Sequence, residues 1–288
     1  MEYLGLPELI SGLNNPNSKG LVYKGPDENF SSNIIDFHSS YPYGIDNPKV
    51  FSRAVRSPFT WIVHDENITE TLFVDLVDMI FSLAYLKELW FEKRFFLQKS
   101  WKRGTGMTTM KEVGHPLQPD VDLLYGACNK EKERKTPITG IEIKVFKYPQ
   151  GNVSPKTTYP KEGYYSGVDQ ALSLTMLGLD YVYLWHVFVM PEAVFQKYRE
   201  KYGNNFVDEV VLKDKIDSAE IYMASAESIL PKPIGYVGTY FLVDKKNMIY
   251  HFIQPNYSIR KPLLNPLLEK DKVAKLRKIL HRELQIEG

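Results

Sequence analysis

The stretch His115–Lys144, HPLQPDVDLLYGACNKEKERKTPITGIEIK, decides how the rest of the chain is read. Asp120 and Asp122 stand two apart in a segment that looks extended, and Glu142 and Lys144 stand two apart inside the β-branched run Ile138–Val145. Side chains alternate faces along a strand, so each pair shares one face. Val121, Leu123, Ile141, Ile143 and Val145 then point the other way, into a core. Pairing the two strands gathers three carboxylates and one ammonium on an otherwise apolar sheet. Burying such charges is costly unless they bind a cation or one another. The cluster is therefore a candidate metal site, and its plainer alternative is a salt-bridged hairpin.

Pro119-Asp120, with Asp122 as a second choice for the acid, followed by Glu142-Ile143-Lys144, resembles the PD-(D/E)xK motif of the restriction endonuclease-like nuclease superfamily. The resemblance continues into Ser166-Gly167-Val168-Asp169-Gln170-Ala171 and the strand pattern of residues 180–189, and covers roughly Leu83–Met190. Glu133-Arg134-Lys135 and Asp244-Lys245-Lys246 match the second half of the motif too. The former lies in a solvated charge run and the latter in a hairpin turn, so neither has apolar strand on both sides.

The resemblance implies an α/β fold, a restriction endonuclease-like central mixed sheet flanked by helices, with N- and C-terminal additions. It implies a metal-dependent nuclease that hydrolyses phosphodiester bonds, of DNA before RNA because most members cut DNA. The alternative is a catalytically inactive nucleic-acid-binding or assembly module on the same fold. Mg²⁺ or Mn²⁺ would be held by Asp122 or Asp120, by Glu142 and by the carbonyl of Ile143, since hard carboxylate oxygens suit these ions. Asp122 is preferred over Asp120 because it leads directly into Leu123-Leu124. Lys144 would orient the attacking water or stabilise charge on phosphorus, and Gln170 would help position substrate or water. Members of the superfamily also often carry an acid on the helix before the sheet. Asp75, Asp78 and Glu88 are the candidates for it, while Glu70 is assigned to capping its own helix. A homodimer is among the assemblies the resemblance allows.

Composition agrees with a globular domain. Of 288 residues 43% are hydrophobic and 25% charged, enough to bury a substantial core. The single cysteine, Cys128, excludes an internal disulfide framework and suits a reducing compartment. The start, MEYLGLPELI, has no basic n-region of a secretory signal. The longest apolar stretches are interrupted by Asp75 and Asp78 or too short to span a bilayer. A cytoplasmic protein with no membrane partner is expected.

The net charge of +1 hides a division. Residues 85–161 carry 15 Lys/Arg against 8 Asp/Glu, and residues 1–84 carry 5 against 11. Positive charge thus surrounds the motif, and residues 260–288 add a second basic stretch. Local fields of this kind are what polyanion binding needs.

Three stretches follow: an irregular, Asn/Pro/Ser/Gly/Tyr-rich extension over residues 1–64, a nuclease-like core over 65–190, and helices with a β-hairpin over 191–288 that belong to the same domain. Within the extension short elements are expected at Glu8–Leu13 and Asn33–Phe37. In the core, Asn67 with Glu70 reads as a helix N-cap, and Leu72, Leu76, Met79, Leu83 and Leu86 mark one apolar face. Arg94–Trp101 reads as the first strand, and Trp101–Gly114 as a basic loop next to His115. Ser166 opens a helix that Gly178 ends. Tyr181–Val189 reads as a strand covered on both faces, with His186 a hydrogen-bonded core residue. Glu192–Tyr202 reads as a helix, Tyr236–Val243 and Met248–Gln254 as a hairpin, and Asn265–Gln285 as an amphipathic helix.

Overall fold

The structure, a computed structural model, describes residues 5–13, 68–85, 95–101, 121–127, 137–147, 163–190, 200, 217–244, 249–253 and 258–284. Asn33–Phe37, Cys128, the loop after Trp101, His115, Pro119-Asp120, the charged insert Lys130–Lys135, Glu88 and nearly all of Glu192–Tyr202 lie outside them.

Among the described residues seven strands make one mixed sheet. In chain order they are β1 (Phe95–Trp101), β2 (Val121–Ala127), β3 (Ile138–Lys147), β4 (Tyr181–Met190), β5 (Gly235–Asp244), β6 (Ile249–Ile253) and the short β7 (Ile259–Arg260). β1 to β6 lie side by side in sequence order, and β7 pairs with β5. β1, β2 and β3 form an antiparallel meander, with Leu123 opposite Ile141 and Leu124 opposite Gly140. β3, β4 and β5 run parallel, and β6 returns antiparallel to β5. The β2–β3 pair is therefore interior, flanked by β1 and β4, and the expected hairpin of β5 and β6 extends the same sheet. The chain has an open α/β fold.

Five helices of the described residues accompany the sheet: α1 (Leu6–Leu13), α2 (Glu70–Tyr85), α3 (Val168–Leu174), α4 (Asp217–Ile229) and α5 (Lys270–Leu284). α3 continues as a 3-10 turn, Thr175–Leu177. A parallel pair needs a crossover, and α3 supplies the one between β3 and β4. On β4 both faces are buried, which is why its sequence is nearly continuous in apolar residues. Tyr183, Trp185 and Val187 are fully buried on one face, where Phe73 of α2 sets its ring edge-on to Trp185 and Phe241 at 5.4 and 5.3 Å. Val182, Leu184 and Phe188 face the other way and join Leu174, Tyr222, Met223, Leu276 and Ile279 of α3, α4 and α5. No helix of the described residues is long and apolar enough to cross a membrane.

Three boundaries differ from expectation. α2 begins at Glu70 rather than after Asn67, because Thr69 supplies the cap: its Oγ1 accepts from the Leu72 amide at 3.2 Å. α3 begins at Val168, since Ser166 and Gly167 are spent in a turn where Gly167 adopts φ +79°. The terminal helix begins at Lys270, because Asn265 has other work. Its Nδ2 donates to the carbonyls of Thr175 and Leu179 at 2.6 and 3.0 Å, and its Oδ1 accepts from the Leu267 amide. These bonds satisfy the end of the 3-10 turn, which Gly178 closes at φ +84°. Asn265→Ala leaves two buried carbonyls without these donors and should lower stability by about 2–4 kcal/mol, measured by urea denaturation.

Candidate functional site

β3 builds the site. Its even-numbered residues Gly140, Glu142, Lys144 and Phe146 share a face, and the parallel register sets Glu142 beside Leu184 and Lys144 beside His186. The β2–β3 register runs to Leu123 opposite Ile141, and Asp122, the next residue, meets β3 through its side chain, near enough to Glu142 for its charge to act on it. Alternation had placed both acids and the lysine together, and the pairing does bring Asp122, Glu142 and Lys144 to one place. Asp120 lies outside the described residues.

Lys144 joins Glu142 and Glu70 in one network, and Asp122 is tied to the same strand. Lys144 Nζ lies 2.8 Å from Glu142 Oε1 and 3.2 Å from Glu70 Oε2. Asp122 Oδ2 accepts the amide N–H of Ile143 at 2.8 Å. That amide bond pins the Asp122 carboxylate against β3. Ile143, expected to contribute its carbonyl, enters the described network through its N–H.

Glu70 was the residue that local reading misassigned. It does not cap its own helix; as the first residue of α2 it reaches Lys144, 74 positions along the chain. α2 packs on the odd-numbered face of the sheet, while Lys144 belongs to the even-numbered face, so the ion pair ties the two layers together. Sequence held a weak sign of this in an acid at the start of the helix preceding the strands. Among the other helix acids, Asp78 is half-buried further along α2, and Glu88 lies outside the described residues.

Burial sets the electrostatics. Glu142 is 2% exposed. Desolvation, with the neighbouring Asp122 charge adding to it, pushes its carboxyl up to about 8 against the opposing pull of Lys144. Burial acts to lower Lys144, but Glu142, Glu70 and Asp122 outweigh it and hold the ammonium above the ordinary lysine value. The net picture is a buried Glu142 within a partly exposed cluster that holds more acids than bases. Its donors are carboxylates, the chemistry that a hard divalent cation takes. Among the described residues, no group of three or more His, Cys, Asp or Glu side chains is gathered in the geometry of a metal cage.

A rigid turn closes over Lys144. Gly167 sits where a Cβ would come within 3.0 Å of Lys144 Cγ and 2.8 Å of Leu184 Cδ1, so only glycine lets the turn lie this close. Ser166 offers its carbonyl to His186 Nε2 at 2.9 Å, and Tyr236 Oη lies 3.2 Å from His186 Nδ1. A carbonyl only accepts, so Nε2 carries the proton and Nδ1 accepts from the tyrosine. His186 is fully buried, and burial with the nearby Lys144 pushes it down to about 4, which keeps it neutral. It is the hydrogen-bonded core histidine expected, and it anchors the turn. Gln170 is half-buried in the first turn of α3. No hydrogen bond among the described residues joins it to the cluster.

No family model matches the chain, and no curated protein and no solved structure matches it.

Proposed function

We propose that the chain is a metal-dependent nuclease, hydrolysing phosphodiester bonds of DNA, with Asp122, Glu142 and Lys144 at its centre. The observation that carries the proposal is the buried Glu142 carboxyl, paired with Lys144 two residues along the same strand and close enough to Asp122 of the neighbouring strand to feel its charge. A carboxylate pushed up to about 8 by burial and a like charge is one that a divalent cation would stabilise. The order of elements (helix, three-stranded meander, helix, parallel strand) also agrees with the restriction endonuclease-like core.

Asp122 and Glu142 would hold Mg²⁺ or Mn²⁺, with Asp120 and the Ile143 carbonyl as further ligands by resemblance. When bound, such an ion supplies Lewis acidity toward a phosphate oxygen and lowers the pKa of water. The remaining work belongs to the chain. Lys144, held between Glu142 and Glu70, presents a fixed ammonium to the charge that develops on the phosphate oxygens. Ile143 N–H keeps Asp122 turned toward β3, so its carboxylate is oriented before substrate arrives. Gln170, on the helix that starts beside Lys144, would help position substrate or water.

A second reading has its own observation. Lys144 is already doubly paired with Glu142 and Glu70, so the cluster can satisfy itself as a structural network. A catalytically inactive nucleic-acid-binding module would look the same in this respect. The two part in one assay. Labelled duplex and single-stranded DNA incubated with the protein should be cleaved with Mg²⁺ or Mn²⁺ and left intact with EDTA. Binding without cleavage in either metal would favour the inactive module, and neither binding nor cleavage at low salt would remove both.

A further inference from the structure

The turn over Lys144 carries an exposed aromatic residue that neither folding nor the metal chemistry uses. Tyr165 is 57% exposed. Its neighbour Tyr164 is half-buried, packed against the core and against Tyr222 at 6.4 Å. The Tyr165 ring stands edge-on to Tyr164, with centroids 5.4 Å apart and planes at 84°. A T-shaped contact covers at most one face of a ring, so at least one face of Tyr165 is free of Tyr164.

The backbone beneath Tyr165 is tightly held. Ser166 N–H donates to the Gly163 carbonyl at 2.7 Å, Val168 N–H to the Tyr165 carbonyl at 3.1 Å, and Ala171 N–H to the Gly167 carbonyl at 2.8 Å. The Ser166 carbonyl is gripped from below by His186. Gly167 rests on the Lys144 stem. A large ring kept in water on a rigid turn, two residues from the contact with Lys144, is suited to meeting a ligand. Its position costs the ligand little ordering entropy, since the platform is already fixed.

We infer that Tyr165 is a stacking platform for an unpaired nucleobase next to the phosphate held at Lys144, so that the site favours single-stranded or frayed DNA over intact duplex. This rests on the nuclease reading given above. In a duplex the base faces are covered by their neighbours, whereas an unpaired base has a free π-face for an aromatic side chain. Stacking is indifferent to base identity, so the preference concerns strand state rather than sequence.

The test uses the whole 288-residue chain with Ca²⁺ in place of Mg²⁺ and oligonucleotides carrying 2-aminopurine at successive positions. Wild-type protein should quench 2-aminopurine at one or two adjacent positions of a single strand. Tyr165→Ala should abolish that quenching and weaken single-strand affinity about tenfold, with a severalfold smaller loss for blunt duplex. Tyr165→Phe and Tyr165→Trp keep a flat ring and should bind as wild type. Tyr165→Leu keeps apolar bulk against Tyr164 without a π-face, and should behave like the alanine variant. Unchanged quenching in Tyr165→Ala, equal losses on both substrates, or a leucine variant that binds as wild type would overturn the platform while leaving the nuclease reading standing. A wild-type protein that binds no DNA at low salt would overturn both.

Discussion

Lys144→Met should reduce DNA cleavage by at least about 10²–10³-fold, the usual cost of removing one preorganised donor to transition-state charge. Methionine keeps most of the stem on which Gly167 and the turn rest, so the strand should still pack. Cation affinity should not fall, because the substitution removes a positive charge from beside Glu142 rather than a ligand. Without cation the variant should melt earlier than wild type, since Glu142 loses the partner 2.8 Å away. The loss is bounded, because a carboxyl already pushed up to about 8 takes up a proton instead of remaining an unpaired charge. Added Mg²⁺ should recover the melting temperature without recovering cleavage. Should the variant melt early and Mg²⁺ change nothing, the network is structural and a role for Lys144 in catalysis is untenable.

A proton should leave the protein when the cation binds. Glu142 is raised from 4.5 to about 8 by burial and by Asp122, so near neutral pH part of the population is protonated, and a hard cation takes only the carboxylate. Calorimetric titration of Mg²⁺ at pH 7 in two buffers of different ionisation enthalpy should report net proton release, and Glu142→Gln should report none.

The same shift governs stability in the absence of cation. A carboxyl raised in the folded state contributes stability that is complete below about 4.5 and is lost as pH rises through about 8. His186, lowered from 6.5 to about 4 by burial, contributes stability present above about 6.5 and lost as pH falls through about 4. The two oppose each other between about 4.5 and 6.5. Of these two groups only Glu142 still titrates between pH 6.5 and 8, and its contribution to stability should drop there by about 2 kcal/mol. Urea denaturation at half-unit intervals of pH measures it. A profile in that window that is flat for wild type, or equally steep for Glu142→Gln, would show that Glu142 is not the titrating group.

The sequence by itself determined the strands and their facing. The β-branched run over Ile138–Val145, the alternation around Asp122 and the apolar stretch from Tyr181 were legible because a strand's period of two depends only on the local backbone. From that period alone Asp122, Glu142 and Lys144 could be assigned to facing pairs, and His186 to a core covered on both sides. Helix ends were less legible. Thr69 caps α2, and Asn265 lies ahead of its helix, satisfying carbonyls of another segment. Several near-equivalent polar residues can cap a terminus, and tertiary partners choose among them.

Only the tertiary structure decided how the cluster is held. Glu70 reaches Lys144 across 74 positions because α2 lies over the sheet at a particular angle, which no local periodicity encodes. Gly167 looked like part of a helix start, and became the point where a turn presses on the lysine stem. The degree of burial of Glu142 depends on α3 and β4 arriving from later in the chain. A pKa follows from that surrounding volume, not from neighbours in sequence, so the charge state of the central carboxyl belongs to the assembled fold.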